Sequence, residues 1–262
     1  KTSDFHKSEM LGYLISKLGR FVENEMMRNI IGQSKSGFNL RDIMDNQKIL
    51  LVNLSKGKTG EVNSDLLGLV IVSKIQMAAM ARADMPQNER KDFFLYIDEF
   101  QNYTTDSIAT VLSEARKYRL SLTMAHQYIG QLVKDKGDSK IKDAVFGNVG
   151  TIMCYRVGVE DSEMMAKVFE PVFDENDVMN IEKYNLYAKL MINGSMSNPF
   201  NIEVPPPLSL SAGNRELAEA IKQLSRLKFG RDRAVVEAEI EGRSRLGSNP
   251  SSEQSLAREL NR

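Results

Sequence analysis

The feature that most constrains the fold is an unbroken apolar run that ends in two acidic residues. Residues 93–97 read Phe-Phe-Leu-Tyr-Ile and are followed at once by Asp98 and Glu99. A short apolar run without polar alternation is typical of a strand that is buried on both faces of a parallel sheet. Ligands of open α/β sheets bind beyond the carboxyl ends of the strands. The sequence therefore predicts that both carboxylates lie at a ligand-binding edge.

Patterns typical of strands and of helices alternate along most of the chain. Apolar runs predict further strands at residues 49–54, 120–125 and 151–157, and a terminal hairpin at residues 187–192 and 199–204. Helical spacing of apolar side chains predicts helices at residues 9–31, 63–82 and 107–118, and another from residue 161. This alternation predicts an α/β fold with helices on both faces of a mostly parallel sheet.

The pattern also predicts how the chain is divided. We expect a helical segment over residues 1–47, an α/β core over residues 48–208, and a helical, partly disordered tail over residues 209–262. Three consecutive prolines, Pro205 to Pro207, close the core. The tail carries charges on most helix faces and ends in a stretch rich in Ser, Asn and Gly, which is a composition that packs poorly without a partner.

Composition excludes several kinds of protein. Lysine and arginine together number 35, as do aspartate and glutamate, so the net charge gives no indication of a nucleic-acid partner. Cys154 is the single cysteine, which excludes a disulfide framework and favours a reducing, cytoplasmic location. Two histidines and one cysteine are too few for a zinc site. We expect no membrane span in this sequence, and membrane contact only through a region outside it.

The acidic pair fits the chemistry of nucleoside triphosphate hydrolysis. One carboxylate helps to hold Mg²⁺, usually through water, and the second polarises the attacking water. We assign Asp98 to the metal and Glu99 to the water. Gln127 follows the strand predicted at 120–125, so its amide is expected at the same edge, where it could orient that water. The alternatives are an acidic loop that caps the next helix and an exposed loop glutamine.

A more specific pattern lies between the two strands. Residues 113–122 read Ser-Glu-Ala-Arg-Lys-Tyr-Arg-Leu-Ser-Leu. The order Asp-Glu-Phe, a helix ending in Glu-x-Arg-x-x-x-Leu, an apolar strand and then Gln resembles the type IV secretion coupling ATPases. It is more distantly similar to the DNA-pumping motors of the HerA and FtsK kind. The resemblance runs from about residue 30 to residue 208.

The resemblance implies a RecA-like P-loop NTPase core that uses ATP and Mg²⁺ and works as a homo-oligomer, in the family usually a hexamer. The implied partners are DNA, contacted without sequence preference, and proteins of the secretion machinery. Arg116 resembles the family's arginine finger, which reaches the neighbouring subunit's nucleotide, and Arg119 competes for that role. Arg156, on the strand predicted at 151–157, resembles a basic group near the nucleotide; a structural, salt-bridged arginine is the alternative.

The phosphate-binding loop itself is missing from the sequence. Gly57, Lys58 and Thr59 suggest one, but the pattern Gly-x-x-x-x-Gly-Lys-Ser/Thr requires glycine at position 52, where Val52 stands. The resemblance places that loop upstream, so we expect a core that is incomplete on its N-terminal side and inactive alone. Two alternatives remain open: a non-catalytic docking module with a RecA-like fold, and an AAA-like ATPase that acts on protein substrates.

Overall fold

The computed structural model describes residue 19 and residues 23–104, 108–133, 137–206 and 213–247. The chain divides into two compact units, one formed by residues 1–39 with 213–262 and the other by residues 40–212. Most of the first predicted helix and both ends of the predicted tail lie outside the described residues. The three-part division into 1–47, 48–208 and 209–262 stays a prediction.

Ten helices and seven strands make up the described part of the chain. The helices are α1 (Glu25–Ile31), α2 (Leu40–Asp45), α3 (Lys56–Thr59), α4 (Glu61–Met80), α5 (Ile108–Glu114), α6 (Lys140–Asn148), α7 (Val159–Phe169), α8 (Glu175–Met179), α9 (Arg215–Phe229) and α10 (Arg233–Gly247). The strands are β1 (Phe93–Ile97), β2 (Leu120–Met124), β3 (Ile152–Cys154), β4 (Asn185–Lys189), β5 (Met191–Ile192), β6 (Ser195–Met196) and β7 (Phe200–Glu203). Short 3₁₀ turns occupy Ala81–Asp84, Phe100–Tyr103, Ala115–Tyr118 and Ile129–Leu132.

Polar contacts join α1 and α10 in the smaller unit. The Asn29 side-chain amide donates to Glu237 over 2.8 Å, and Arg233 bridges Glu237 on its own helix and Glu25 on α1. Helix α9 begins at Asn214, whose side chain accepts from the Leu217 amide over 2.9 Å. A side chain that satisfies a free amide in this way fixes the start of a helix.

Parallel pairing is confined to β1 and β2 within the described residues. Their register pairs Phe93 with Leu120 and Ile97 with Met124, and α5 with its following 3₁₀ turn forms the crossover between them. Strand β4 pairs with both β3 and β7 in an antiparallel sheet, and β5 pairs with β6 across an Asn-Gly turn. The prediction of a mostly parallel sheet is therefore wrong for this part of the chain. A hairpin connection explains the antiparallel pairing of β4 with β7 and of β5 with β6. Strands β3 and β4 also pair antiparallel, although α7 and α8 lie between them in the sequence.

The terminal hairpin is confirmed, although a second, smaller hairpin lies inside it. Asn193 and Gly194 have φ values of 52° and 82°. Two consecutive positive φ values are those of the type I′ turn, which matches the twist of the strands that it joins. The apolar runs at 187–192 and 199–204 thus correspond to β4, β5 and β7 rather than to two uninterrupted strands.

The apolar run at residues 93–97 is covered on one face only. Phe94 and Tyr96 are 60% and 73% exposed, whereas Ile97 is buried. The prediction of a strand buried on both faces is wrong for the described residues. The run at 49–54 forms no strand, and Ile49 and Leu51 are 88% and 85% exposed. A uniformly apolar run shows that both faces of a strand could be buried. It does not show whether other segments pack on both faces.

The covered face of β1 and β2 packs on helices α4, α5 and α6. This core includes, among others, Ile75, Ala79, Ile97, Phe100, Ile108, Val111, Leu120, Leu132 and Ile141. A second cluster lies between the antiparallel sheet, α7 and α8; it includes Cys154, Met165, Phe169 and Val178. Burial and the nearby Asp161 carboxylate raise the pKa of the Cys154 thiol to about 12, so this cysteine is a packing residue at neutral pH.

One stretch of the described chain, Glu61–Asp84, is long and apolar enough to cross a membrane by length and composition alone. No such span was expected from the sequence. The finding is a weak indication, since core helices pass the same test, and Ile75 and Ala79 of this helix lie in the core.

Arg82 is fully buried and joins four segments of the larger unit. Its Nε atom donates to Asp45 at the end of α2 over 2.9 Å. Its Nη1 atom donates to the carbonyl oxygens of Lys91 and Tyr118, over 3.0 and 3.1 Å. Lys91 lies just before β1 and Tyr118 just before β2, so one guanidinium ties the end of α4 to both strand starts.

We predict that Arg82→Met strongly destabilises the chain. The change leaves two carbonyl oxygens without their donor, and a buried acceptor left unsatisfied costs about 1–3 kcal/mol. The partly exposed Asp45 carboxylate also loses one of its two cations and keeps Arg41. Urea unfolding followed by circular dichroism measures the loss. The control is Lys167→Met, which removes an exposed pair with Glu163 and should cost below about 1 kcal/mol. Equal losses for the two variants would contradict the role of Arg82.

Candidate active site

The turn that carries the acidic pair is fixed to the neighbouring strand. The Ala125 amide donates to the Ile97 carbonyl, and the Phe100 amide donates back to the Ala125 carbonyl, each over 2.9 Å. Phe100 is fully buried in the core. Between these anchors Glu99 has a left-handed backbone, with φ 50° and ψ 45°. Non-glycine residues adopt this conformation rarely, and such residues cluster at functional sites.

Glu99 is held by amide groups on both of its carboxylate oxygens. Gln127 Nε2 donates to Oε1 over 2.7 Å, and Gln101 Nε2 donates to Oε2 over 2.6 Å. These bonds, that of Gln127 first, lower the pKa of Glu99 from its ordinary value. The structure thus brings together Glu99 and Gln127, which lie 28 residues apart in the sequence, at the carboxyl edge of the parallel pair.

Asp98 lies beside Glu99 but remains open to solvent. Its Oδ1 atom accepts from the Glu99 amide over 3.0 Å. The described residues contain no group of three or more His, Cys, Asp or Glu side chains that could hold a metal ion. A single exposed carboxylate such as Asp98 could hold Mg²⁺ only if water and phosphate oxygens supplied the other ligands, which is how this ion is usually bound at nucleotide sites.

The loop that carries Gln127 has its own supports. Gln131 Oε1 accepts from the amides of Gln127 and Tyr128, over 3.0 and 3.3 Å. The buried carboxylate of Asp161, on α7, accepts from the Ile129 amide over 2.9 Å. These contacts fix the loop backbone, so the Gln127 side chain needs only its own rotamer to reach Glu99.

The segment that resembles a phosphate-binding loop lies near the site but has a different structure. Gly57, Lys58 and Thr59 belong to the single turn of α3, and α4 starts directly after Gly60, at Glu61. The helix predicted at residues 63–82 therefore begins two residues earlier, at Glu61. The side chains of Asn63 and Ser64 contact Thr59 of the preceding turn and lie inside the helix.

Three further residues near the site were not found from the sequence. Gln101 binds Glu99, as described above. Tyr103 places its ring directly over Gly68 of α4. Lys56 pairs with Glu61 over 2.8 Å, and its positive charge helps to lower the pKa of Glu99. A glycine inside a helical pattern can mark the close approach of another segment. Gly68 was therefore the one sequence signal that could have indicated the contact with Tyr103.

Arg116 and Arg119 lie at the opposite, amino end of the two strands. Arg116 is in the 3₁₀ turn before β2, at the amino end of the strands; a five-residue strand spans about 13 Å, so Glu99 of the same chain lies at the far end. Within the described residues Arg116 makes no ion pair or hydrogen bond through its guanidinium, whereas Arg119 pairs with Asp92 over 3.1 Å. Arg156 follows β3 and is exposed, with no ion pair to a described residue.

The amino-acid sequence matches a known family over residues 2–169, the family described as type IV secretory system conjugative DNA transfer. The chain belongs to that family. The resemblance to secretion coupling proteins is thereby confirmed. The family match includes Asp98, Glu99, Arg116, Gln127 and Arg156.

One solved structure similar to this chain is that of the bacterial conjugative coupling protein TrwBdeltaN70 in an unbound monoclinic form. The two share 14% sequence identity with a TM-score of 0.42, over 52% of this chain and 36% of that one. The chain thus spans about a third of the length of that protein. The sequence matches none of the curated proteins.

We predict that Gly68→Ala destabilises the chain and disturbs the turn at Phe100–Tyr103. A methyl group at Gly68 would overlap the Tyr103 ring and lie 3.1 Å from Leu54 Cδ1, and overpacking of this kind costs about 1–3 kcal/mol. Urea unfolding measures the loss. Gly147→Ala is the matched control, because a Cβ there meets nothing within 4 Å. If the Gly68→Ala variant were as stable as the wild type, the position of Tyr103 would not depend on its contact with Gly68.

Proposed function

We propose that this chain is the part of a coupling ATPase that carries the water-activating residues, in a motor that moves DNA or nucleoprotein into a type IV secretion or conjugation apparatus. One observation carries the proposal. Asp98, Glu99 and Gln127 meet at the carboxyl edge of two parallel strands in a chain of the conjugative DNA-transfer family. Carboxylates and an amide at such an edge are the groups that triphosphate hydrolysis uses.

Each group has a distinct role in the proposal. Asp98, exposed and with one oxygen bound only to a neighbouring amide, would hold Mg²⁺ through water. When bound, Mg²⁺ neutralises charge on the β and γ phosphates of ATP. Glu99 would polarise the attacking water, and its lowered pKa keeps it ionised at neutral pH. Gln127, bound to Glu99, would orient the same water. Asp98, Glu99 and Gln127 do not bind the phosphates directly in this proposal; a phosphate-binding loop outside this sequence would do so.

The position of Arg116 supports a site shared between subunits. A guanidinium at the amino end of the strands lies far from Glu99 of its own chain, so it could reach only the site of a neighbour. Arg116 is exposed and free of ion pairs within the described part of the chain, whereas Arg119 is already paired with Asp92. We therefore assign the arginine finger to Arg116 and propose a homo-oligomeric ring, a hexamer by family resemblance. Arg156, exposed just after β3, is proposed as a further basic group near the nucleotide.

The proposed partners are DNA, bound without sequence preference, and the proteins of the secretion machinery. The proposed location is cytoplasmic, at the inner face of the cell membrane, with the membrane contact made by a region outside this sequence. The rival function, movement of protein rather than DNA, differs in one measurable property. ATP hydrolysis by the full-length protein should rise when single- or double-stranded DNA is added, and a protein-moving ATPase would show no such rise.

We predict that Glu99→Gln in the full-length protein retains ATP binding and loses turnover by about 100-fold or more, because the water loses its base. Asp98→Asn should also weaken Mg²⁺-dependent ATP binding. Steady-state hydrolysis and fluorescent-nucleotide binding measure the two effects. Glu89→Gln, an exposed carboxylate in the loop before β1, is the matched control and should behave as wild type. Normal hydrolysis by Glu99→Gln would overturn the assignment.

We predict that Arg116→Ala acts on the neighbouring subunit's site. A pure Arg116→Ala assembly should bind ATP normally and hydrolyse it about 1,000-fold more slowly, the range measured for arginine fingers. Mixing it with Glu99→Gln subunits should restore part of the activity, because some interfaces then combine an intact Glu99 with an intact Arg116. Arg119→Ala is the control and should cost far less. Inactive mixtures together with an inactive Arg119→Ala assembly would move the finger to Arg119.

A further inference from the structure

The contact between Gln101 and Glu99 is as short as the contact between Gln127 and Glu99. The two glutamines reach the carboxylate from different segments: Gln101 from the 3₁₀ turn that follows Glu99, and Gln127 from the loop after β2. Each amide binds a different oxygen, at 2.6 and 2.7 Å. A carboxyl group held at both oxygens cannot rotate about its last torsion, which is otherwise broad.

The support of Gln101 is rigid. Its turn is anchored by Phe100, which is fully buried and bound to Ala125, and by Tyr103, which lies against Gly68. The Thr104 hydroxyl donates to the Gln101 carbonyl over 3.1 Å. The backbone of Gln101 is therefore fixed, and only its side-chain torsions remain to be set for the amide to reach Glu99.

The orientation of the Gln101 amide is also determined. Its Oε1 atom is buried and accepts no hydrogen bond from the described residues. A buried acceptor without a donor is costly, and the amide keeps this orientation because the opposite one would turn its oxygen toward the carboxylate. The Glu99 contact is thus the only polar contact, within the described part of the chain, that the Gln101 side chain makes.

From these contacts we propose that Gln101 is a positioning residue for Glu99: with Gln127 it fixes the plane of the carboxylate, so that Glu99 directs an unused lone pair at the attacking water. Each oxygen retains a second lone pair after accepting one amide, so a water can still bind. Preorganised geometry of this kind raises the rate of the chemical step without adding to substrate binding. The proposal rests on the proposed ATPase function and adds a residue to that same site.

The kinetic test uses Gln101→Met and Gln101→Glu in the full-length protein. Methionine retains the length without the donor, so kcat should fall about tenfold while KM for ATP and nucleotide affinity stay unchanged. Glutamate has the shape of glutamine but repels Glu99, so its kcat should be lower still. In the Glu99→Gln background, Gln101→Met should have no further effect, since Gln101 acts through Glu99. A residue that only fills space would instead tolerate glutamate and act independently of Glu99.

The control is Gln76→Met. Gln76 is half-buried on α4 outside the site, so this change should leave kcat unchanged.

A spectroscopic test separates this contact from the ATPase function. In the ¹⁵N-labelled 262-residue chain, the side-chain amide signals of Gln101 and Gln127 should both move in Glu99→Ala, and the signal of Gln76 should not. A stationary Gln101 signal overturns the proposal. If the Gln101 signal moves but the full-length protein has no ATPase activity, the contact stands and the proposed function is overturned.

Two further outcomes concern the Gln101→Met variant. If the wild type is active and Gln101→Met has the same kcat, the positioning role is rejected. Gln101→Met should not lower the thermal midpoint, because it also removes a buried acceptor without a donor.

Discussion

The buried guanidinium of Arg82 is the contact on which the arrangement of the larger unit depends. It binds the carbonyl oxygens just before β1 and just before β2, together with Asp45 of α2. Because the two strands are parallel and of equal length, fixing their amino ends in register also aligns their carboxyl ends. That alignment brings the turn after β1 next to the loop after β2, so Glu99 and Gln127 come within hydrogen-bond distance. A buried cation at one edge of the pair therefore sets the geometry at the other.

The same polarity separates the two kinds of charged group that the proposed chemistry needs. The acidic residues follow β1, whereas Arg116 precedes β2, so a single chain does not place Arg116 beside its own Glu99. In the proposed ring of subunits, the amino edge of one subunit would face the carboxyl edge of the next. The exposed Phe94 and Tyr96, on the face of β1 away from the helices, also show that the described core presents apolar surface.

Much of the local structure followed from sequence patterns alone. The strands at 93–97 and 120–124 and the helix at 108–114 lie where apolar spacing predicted them. The failures have a common cause. The runs at 93–97 and 49–54 are apolar enough for burial on both faces, but exposure depends on which other segments pack there. The prediction of pairing direction failed because an apolar run does not distinguish a parallel from an antiparallel strand, and β3, β4 and β7 pair antiparallel.

The sequence by itself determined the acidic pair, its place at a strand end, the missing phosphate-binding loop and the family, because these depend on residue order along a single segment. Only the tertiary structure decided that both oxygens of Glu99 are bound by glutamines, that Gln101 is one of them, and that Arg82 is buried beneath both strands. Each of these is a contact whose geometry no local pattern encodes. Gln101 lies two residues from Glu99, yet its amide reaches the carboxylate because Glu99 adopts a left-handed backbone held between β1 and the buried Phe100.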